Sequence, residues 1–199
     1  MELESTPSKI LYVGCLTLAL SGFGSWAVLA HQSSTTTQSR AEMTDAHFAR
    51  AAALGGMAEI QLGKLAGSRG SNEVVKAFGE RMVVQHGAAG DQLKAAAQKE
   101  DITLPGSLSS KDQQTYDRLA RLNRSAFDRA YAKVMVDDHE KDLQDFQNEA
   151  NNGNDENIKA FAAQTVPMIQ EHLNQAREML TTVSQTSSRQ TGAAHSAGR

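Results

Sequence analysis

The sequence predicts an all-α protein, a ferritin-like four-helix bundle in which a long crossover carrying a short helix joins the second and third long helices. Three observations predict it. Apolar residues recur at steps of three and four instead of alternating. Two short polar breaks divide the middle of the chain into two helical hairpins. Between the hairpins lie about 27 residues, whereas adjacent antiparallel helices need only about 2 to 8.

The chain opens on an apolar stretch, "ILYVGCLTLALSGFGSWAVLA" from Ile10 to Ala30, which is uncharged, follows Lys9 and ends in small residues that a signal peptidase could cut. Residues 1–30 are expected to be a secretory signal peptide. If uncleaved, they are long enough to serve as an inner-membrane anchor, and Glu2 and Glu4 leave their charged end near neutral. The rest is then exported, periplasmic or outer-membrane associated, and meets a membrane only through this segment. The lone Cys15 lies inside it, so nothing after residue 30 offers a thiol, a disulfide or a Cys metal ligand.

Residues 31–43 form a polar, Ser/Thr-rich spacer and residues 184–199 a matching tail; neither buries enough apolar area to offset ordering, and both are expected to be disordered. Residues 44–183 are the bundle. Its first inner stripe runs Phe48, Ala52, Gly55, Glu59, Leu62, Ala66, and its second Val75, Phe78, Met82, His86, Ala89, Leu93. "GSRGS" turns the chain between them, with Ser71 or Asn72 as the cap. The crossover holds Pro105 and a short helix opened by a capping pair placed at Ser110 and Gln113. The third stripe is Phe127, Tyr131, Met135, His139, Leu143, Phe146, and the fourth is Ile158, Phe161, Thr165, Met168, His172, Ala176, Met179, entered through "NNGNDE" with Asp155 as the cap. "FARA" at Phe48 recurs as "FDRA" at Phe127, and "VVKAF" ending at Phe78 recurs as "NIKAF" ending at Phe161, the pattern of a pseudo-twofold pair of hairpins.

Composition excludes several functions. A net charge of −3 gives no electrostatic footprint for nucleic acid, and 5% aromatic residues give few stacking platforms. The sequence has no Gly-rich phosphate loop, no nucleophile motif and no zinc-protease pair, so an enzyme is not the expected class.

Three of the six His stand in one repeated frame: Met, a β-branched apolar residue, any residue, an Asp, Glu or Gln, then His. The copies are Met82 to His86, Met135 to His139 and Met168 to His172. With opposed hairpin turns, Glu59 and the three His fall within about 12 Å of one another along the bundle axis, at about 1.5 Å per residue. Two outcomes stay open: a buried, closed hydrogen-bond network that fixes helix register, or a metal site.

"GGMAEIQLGKLA", "VKAFGERMVVQH", "AFDRAYAKVMVDDHEKDL" and "IKAFAAQTVPMIQEHL" resemble the exported bacterial family called domain of unknown function 4142, over about residues 43–182. The resemblance implies a ferritin-like fold and no established activity. Gln85 stands where the family pattern is expected to carry Asp.

A metal site would draw on Glu59, His86, His139 and His172, a nitrogen-rich set suited to one Zn, Cu or Fe ion. Gln85, Asp138 and Glu171 precede the three His and could orient neighbouring rings. Met82, Met135 and Met168 each stand one helical turn before a His, which adds a soft-ligand option for Cu(I). The di-iron Glu-x-x-His signature is absent, since Val83, Val136 and Ile169 occupy the required positions. The sequence thus points to a non-enzymatic envelope or stress-related binding protein, able to take a protein partner, with metal binding through the His/Glu cluster as the alternative.

Overall fold

In the computed structural model the backbone is described for residues 26–196 and the side chains for residues 44–186. The segment expected to be a signal or anchor lies outside them, apart from the backbone of residues 26–30. The chain forms two compact units, residues 1–36 and 37–199, and the bundle belongs to the second. Among the described residues no helix is long and apolar enough to cross a membrane.

Five helices follow in order: α1 Trp26–Arg69, α2 Glu73–Lys99, α3 Ser110–Ala120, α4 Arg124–Asn152 and α5 Glu156–Ser196. Helical backbone therefore continues through residues 31–43 and 184–196, the two segments expected to be unordered. Ser and Thr cost at most about 0.7 kcal/mol per residue relative to Ala, which opposes the extension of an existing helix only weakly.

The caps explain where the inner helices start. Asn72 Oδ1 accepts from Val74 N at 3.1 Å to open α2, and Asp155 Oδ1 accepts from Ile158 N at 2.8 Å to open α5. The cap of α3 is one residue earlier than expected: extended Ser109, not Ser110, accepts from Asp112 N at 3.1 Å and donates to Asp112 Oδ2 at 2.6 Å. Ser110 is already helical and cannot serve. At the far end of α2, Asp101 adopts a left-handed conformation (φ 52°) and Ile102 N reaches back to Ala97 O at 2.9 Å, a Schellman stop that turns the chain into the crossover.

Contacts at the two ends fix the topology. At one end Arg69 donates to Asn123 Oδ1 and Ser71 N to Asp128 Oδ1, placing the α1–α2 turn beside the start of α4. At the other, Lys99 donates to Asn157 Oδ1 and Asp155 N to Asp45 Oδ2, placing the end of α2 and the α4–α5 turn beside residue 45 of α1. Residues 100–123 therefore carry the chain back along the bundle, and α2 and α4 run parallel.

The core has two apolar clusters. One gathers Leu62, Phe78, Met82, Tyr131, Met135 and Met179; the other gathers Phe48, Leu93, Phe146, Ile158, Phe161 and Ile169. Along every long helix a buried ionisable residue falls between the two: Glu59 on α1, His86 on α2, His139 on α4 and His172 on α5. The core is thus interrupted by one polar layer, with one side chain from each helix.

Candidate metal centre

Four side chains from four helices enter this layer because each sits one turn from a core residue on the same stripe: Leu62, Met82, Met135 and Ala176. Burial is nearly complete, with exposures of 2% for Glu59, 7% for His86 and 0% for both His139 and His172. The ring centroids are mutually 5.7 Å (His86 to His139), 5.3 Å (His86 to His172) and 5.4 Å (His139 to His172) apart. One nitrogen from each ring can be chosen so that all three lie within 4.8 Å of one another. The convergence is much tighter than the spread of heights that residue counting predicts.

Each ring also has a fixed outer partner. His139 Nδ1 donates to the Met135 carbonyl at 2.9 Å. His172 Nε2 donates to Gln85 Oε1. His86 Nδ1 lies 2.8 Å from Glu59 Oε2 in an ion-pair contact, and Glu59 Oε1 lies 3.4 Å from His139 Nε2. The remaining ring nitrogens, His86 Nε2, His139 Nε2 and His172 Nδ1, are buried without a hydrogen-bond partner, and both Glu59 oxygens lack a well-aligned one. A hydrogen bond at one imidazole nitrogen assigns the other as the lone-pair site, so the outer partners of His139 and His172 turn lone pairs inward, that of His139 toward Glu59 Oε1.

The electrostatics are those of one anion among imidazoles. Burial pushes the Glu59 carboxyl up, but the neighbouring His86 and His139 outweigh it and hold it at about 2. For His86, burial opposes protonation and the Glu59 charge overcomes it, so the ring is shifted up. Burial dominates at His139, which is shifted down, and at His172, which falls to about 3 with further opposition from the other two rings. Two neutral imidazoles thus stand beside a Glu–His pair.

Of the remaining expected residues, Gln85 reaches a ring and the two acids do not. Glu171 is exposed and accepts from Gln175 Nε2 at 2.7 Å. Asp138 is half-buried on α4, where burial and then the Glu59 charge raise its carboxyl to about 6. The three Met do not converge, since Met82 and Met135 belong to one apolar cluster and Met168 packs against the other. Met135 contributes its carbonyl oxygen instead. Pro167 lies on the exposed side of α5, off the ring-bearing face.

Sequence reasoning missed Asp142. Its carboxyl is raised to about 8 by burial and by the Glu59 charge, and it lines a cavity together with Glu59 and His86. The signal was available in its spacing: Asp142 stands three residues after His139, on the same helix face. The cavity has a volume of about 700 Å³ and lies between α1 and α2, lined also by Ile102, Leu104 and Pro105 of the crossover.

The fold has a known counterpart. The crystal structure of a DUF305 fragment from Deinococcus radiodurans is similar with a TM-score of 0.61 at 12% identity, covering 70% of this chain and 96% of that one. No curated protein matches the chain. The family model of the domain of unknown function DUF4142 matches residues 30–179, three quarters of the sequence and all four residues of the polar layer, and the chain belongs to that family.

Proposed function

We propose that the bundle is a non-enzymatic metal-binding protein that holds one first-row transition-metal ion between His86, His139 and His172, with Glu59 as the charge-balancing carboxylate. The observation that carries this reading is the set of three buried ring nitrogens, one per helix, that make no hydrogen bond while the other nitrogen of each ring is engaged, with Glu59 Oε1 3.4 Å from the one on His139. A closed register-fixing network would satisfy those atoms internally, since each buried unsatisfied polar atom costs about 1–3 kcal/mol. A metal ion satisfies all three at once.

The donor set of three imidazoles and one carboxylate fits Zn(II), Cu(II) or Fe(II) better than a hard cation such as Mg(II). Orientation of each ring by a carboxylate, a carbonyl or an amide oxygen is the arrangement that fixes tautomers at metal sites. Export through residues 1–30 is part of the proposal, supported by the uncharged Ile10 to Ala30 stretch, and it would place the site in the cell envelope.

The test is elemental analysis of the purified protein, followed by titration with Zn(II), Cu(II) and Fe(II) against a competing chelator. The reading requires one equivalent of a transition metal and a rise in melting temperature on loading. Both must be lost when His86→Ala is combined with His139→Ala. Full retention in that double variant, or no uptake by the parent protein, returns the layer to a purely structural role.

A further inference from the structure

Beyond the metal reading, the cavity beside Glu59 is itself a built feature. Helices α1 and α2 meet backbone to backbone where a Cβ on Gly63 would lie 2.5 Å from Gly79 O. Further along, the same pair is separated by the cavity of about 700 Å³. Small residues keep it open: a Cβ added at Gly87 or Gly90 would meet nothing within 4 Å, and one at Gly56 would only touch His86 Nδ1 at 4.0 Å. Its volume falls within the roughly 300–1,000 Å³ of small-molecule sites.

The lining has two characters. The walls are apolar, from Leu93, Ile102, Leu104, Phe146 and Phe161 among others. Three carboxyl groups, Glu59, Asp91 and Asp142, line the space, against His86 and exposed Lys94, the one lysine among the lining residues. Glu59 is 2% exposed; its Oε2 lies 2.8 Å from His86 Nδ1, while its Oε1, 3.4 Å from His139 Nε2, makes no hydrogen bond. A buried anion with unused acceptor capacity at the end of an apolar chamber favours a cationic donor and disfavours an anion.

We propose that this cavity binds a hydrophobic amine, its apolar body between α1 and α2 and its ammonium head against the carboxyl groups of Glu59 and Asp142. An aliphatic amine is protonated at neutral pH, like lysine with its pKa near 10.4, and its three donors match two neighbouring carboxyl groups. The site does not need the metal.

The test is calorimetric titration of the full chain, kept metal-free with chelator, against three ligands that share one body: 4-phenylbutylamine, 4-phenylbutanol and 4-phenylbutyrate. The amine is expected to bind one to one and at least tenfold more tightly than the acid. Asp142→Asn is expected to weaken the amine at least tenfold and leave the alcohol unchanged. Gly90→Leu, whose side chain enters open space, is expected to weaken all three by filling the chamber. Metal uptake by both variants is measured separately, so that loss of amine binding is read independently of the metal site. Binding of the acid as tightly as the amine, an unaltered amine affinity in Asp142→Asn, or no saturable binding by any of the three would overturn the proposal.

Discussion

Asp45 and Asp128 are reciprocal caps: each reaches from the first helix of its own hairpin to the turn of the other. Asp128 accepts from Ser71 N at 2.9 Å, Ser71 Oγ at 2.6 Å and Asn72 N at 3.1 Å, while Asp45 accepts from Asn154 N at 3.1 Å and Asp155 N at 2.7 Å. Both are nearly fully buried, at 2% and 1% exposure. Each carboxylate satisfies orphan amides at the entrance to a helix and ties the hairpins together at opposite ends of the bundle.

Removing either cap should be costly. Asp128→Ala is expected to lower unfolding free energy by about 2–3 kcal/mol, the cost of leaving buried donors without a charged acceptor. Asp45→Ala should cost less near pH 7.5, because it also relieves the repulsion that Asp45 exerts on Glu149. The two losses should add within about 0.5 kcal/mol, since the sites share no partner. Urea denaturation of the single and double variants measures all three quantities.

This pair also shows what the sequence left illegible. The helix periodicity, the two hairpin turns and the crossover could be read because apolar spacing and capping residues are local signals. The register between hairpins is not local. "FARA" and "FDRA" align Phe48 with Phe127, yet the caps align Asp45 with Asp128 and Asn72 with Asp155, one helical turn away and consistent with the match of Phe78 to Phe161. In that register Glu59 corresponds to Asp142, an acid that the inner stripe of α4 passes over. The four polar-layer residues could be found by their stripes, but the partner of each ring nitrogen could not, because it depends on side-chain placement across helices.

Gln85 is the side chain that orients His172, accepting from its Nε2. Gln85→Ala is expected to leave the fold intact, since residue 85 is only partly buried, and to weaken metal binding by about 10- to 100-fold. Gln85→Glu keeps an acceptor at the same reach and should retain most of the affinity. Competition titrations with a chromophoric chelator separate the two. Equal affinity for the Ala variant and the parent would show that His172 needs no such support.

Glu149 gives the bundle a pH dependence of defined sign. Burial, then the charges of Asp45 and Asp155, raise its carboxyl from 4.5 to about 7 in the folded protein. A folded-state value above the unfolded one means that the folded protein holds the proton more tightly. This contribution to stability is complete below pH 4.5 and is lost as pH rises through about 7. Glu149→Gln removes the ionisation and supplies a permanent donor toward the Asp45 carboxylate. At pH 8 the variant should be more stable than the parent by about 1–3 kcal/mol, with the difference shrinking toward pH 5. Melting curves across that range test it; a pH-independent difference would assign the effect to packing.

The contact between Gly63 and Gly79 sets how closely α1 and α2 approach. A Cβ on Gly79 would lie 2.7 Å from both Gly63 O and Ala66 Cβ, and one on Gly63 would lie 2.5 Å from Gly79 O. Backbone atoms cannot yield as a side-chain tip can, so either substitution by Ala must push the helices apart. Each should cost about 1–3 kcal/mol from overpacking, despite the better helix propensity of Ala. Gly67→Ala is the control: it lies on α1 with Gly63, its Cβ would meet nothing within 4 Å, and it should stabilise by about 0.5–1 kcal/mol. If Gly79→Ala and Gly67→Ala shift the denaturation midpoint in the same direction, the two helices do not meet at these glycines. If they shift it in opposite directions, the close approach is real, and the gap that opens farther along α2 beside His86 follows from it as one geometric arrangement of the same helix pair.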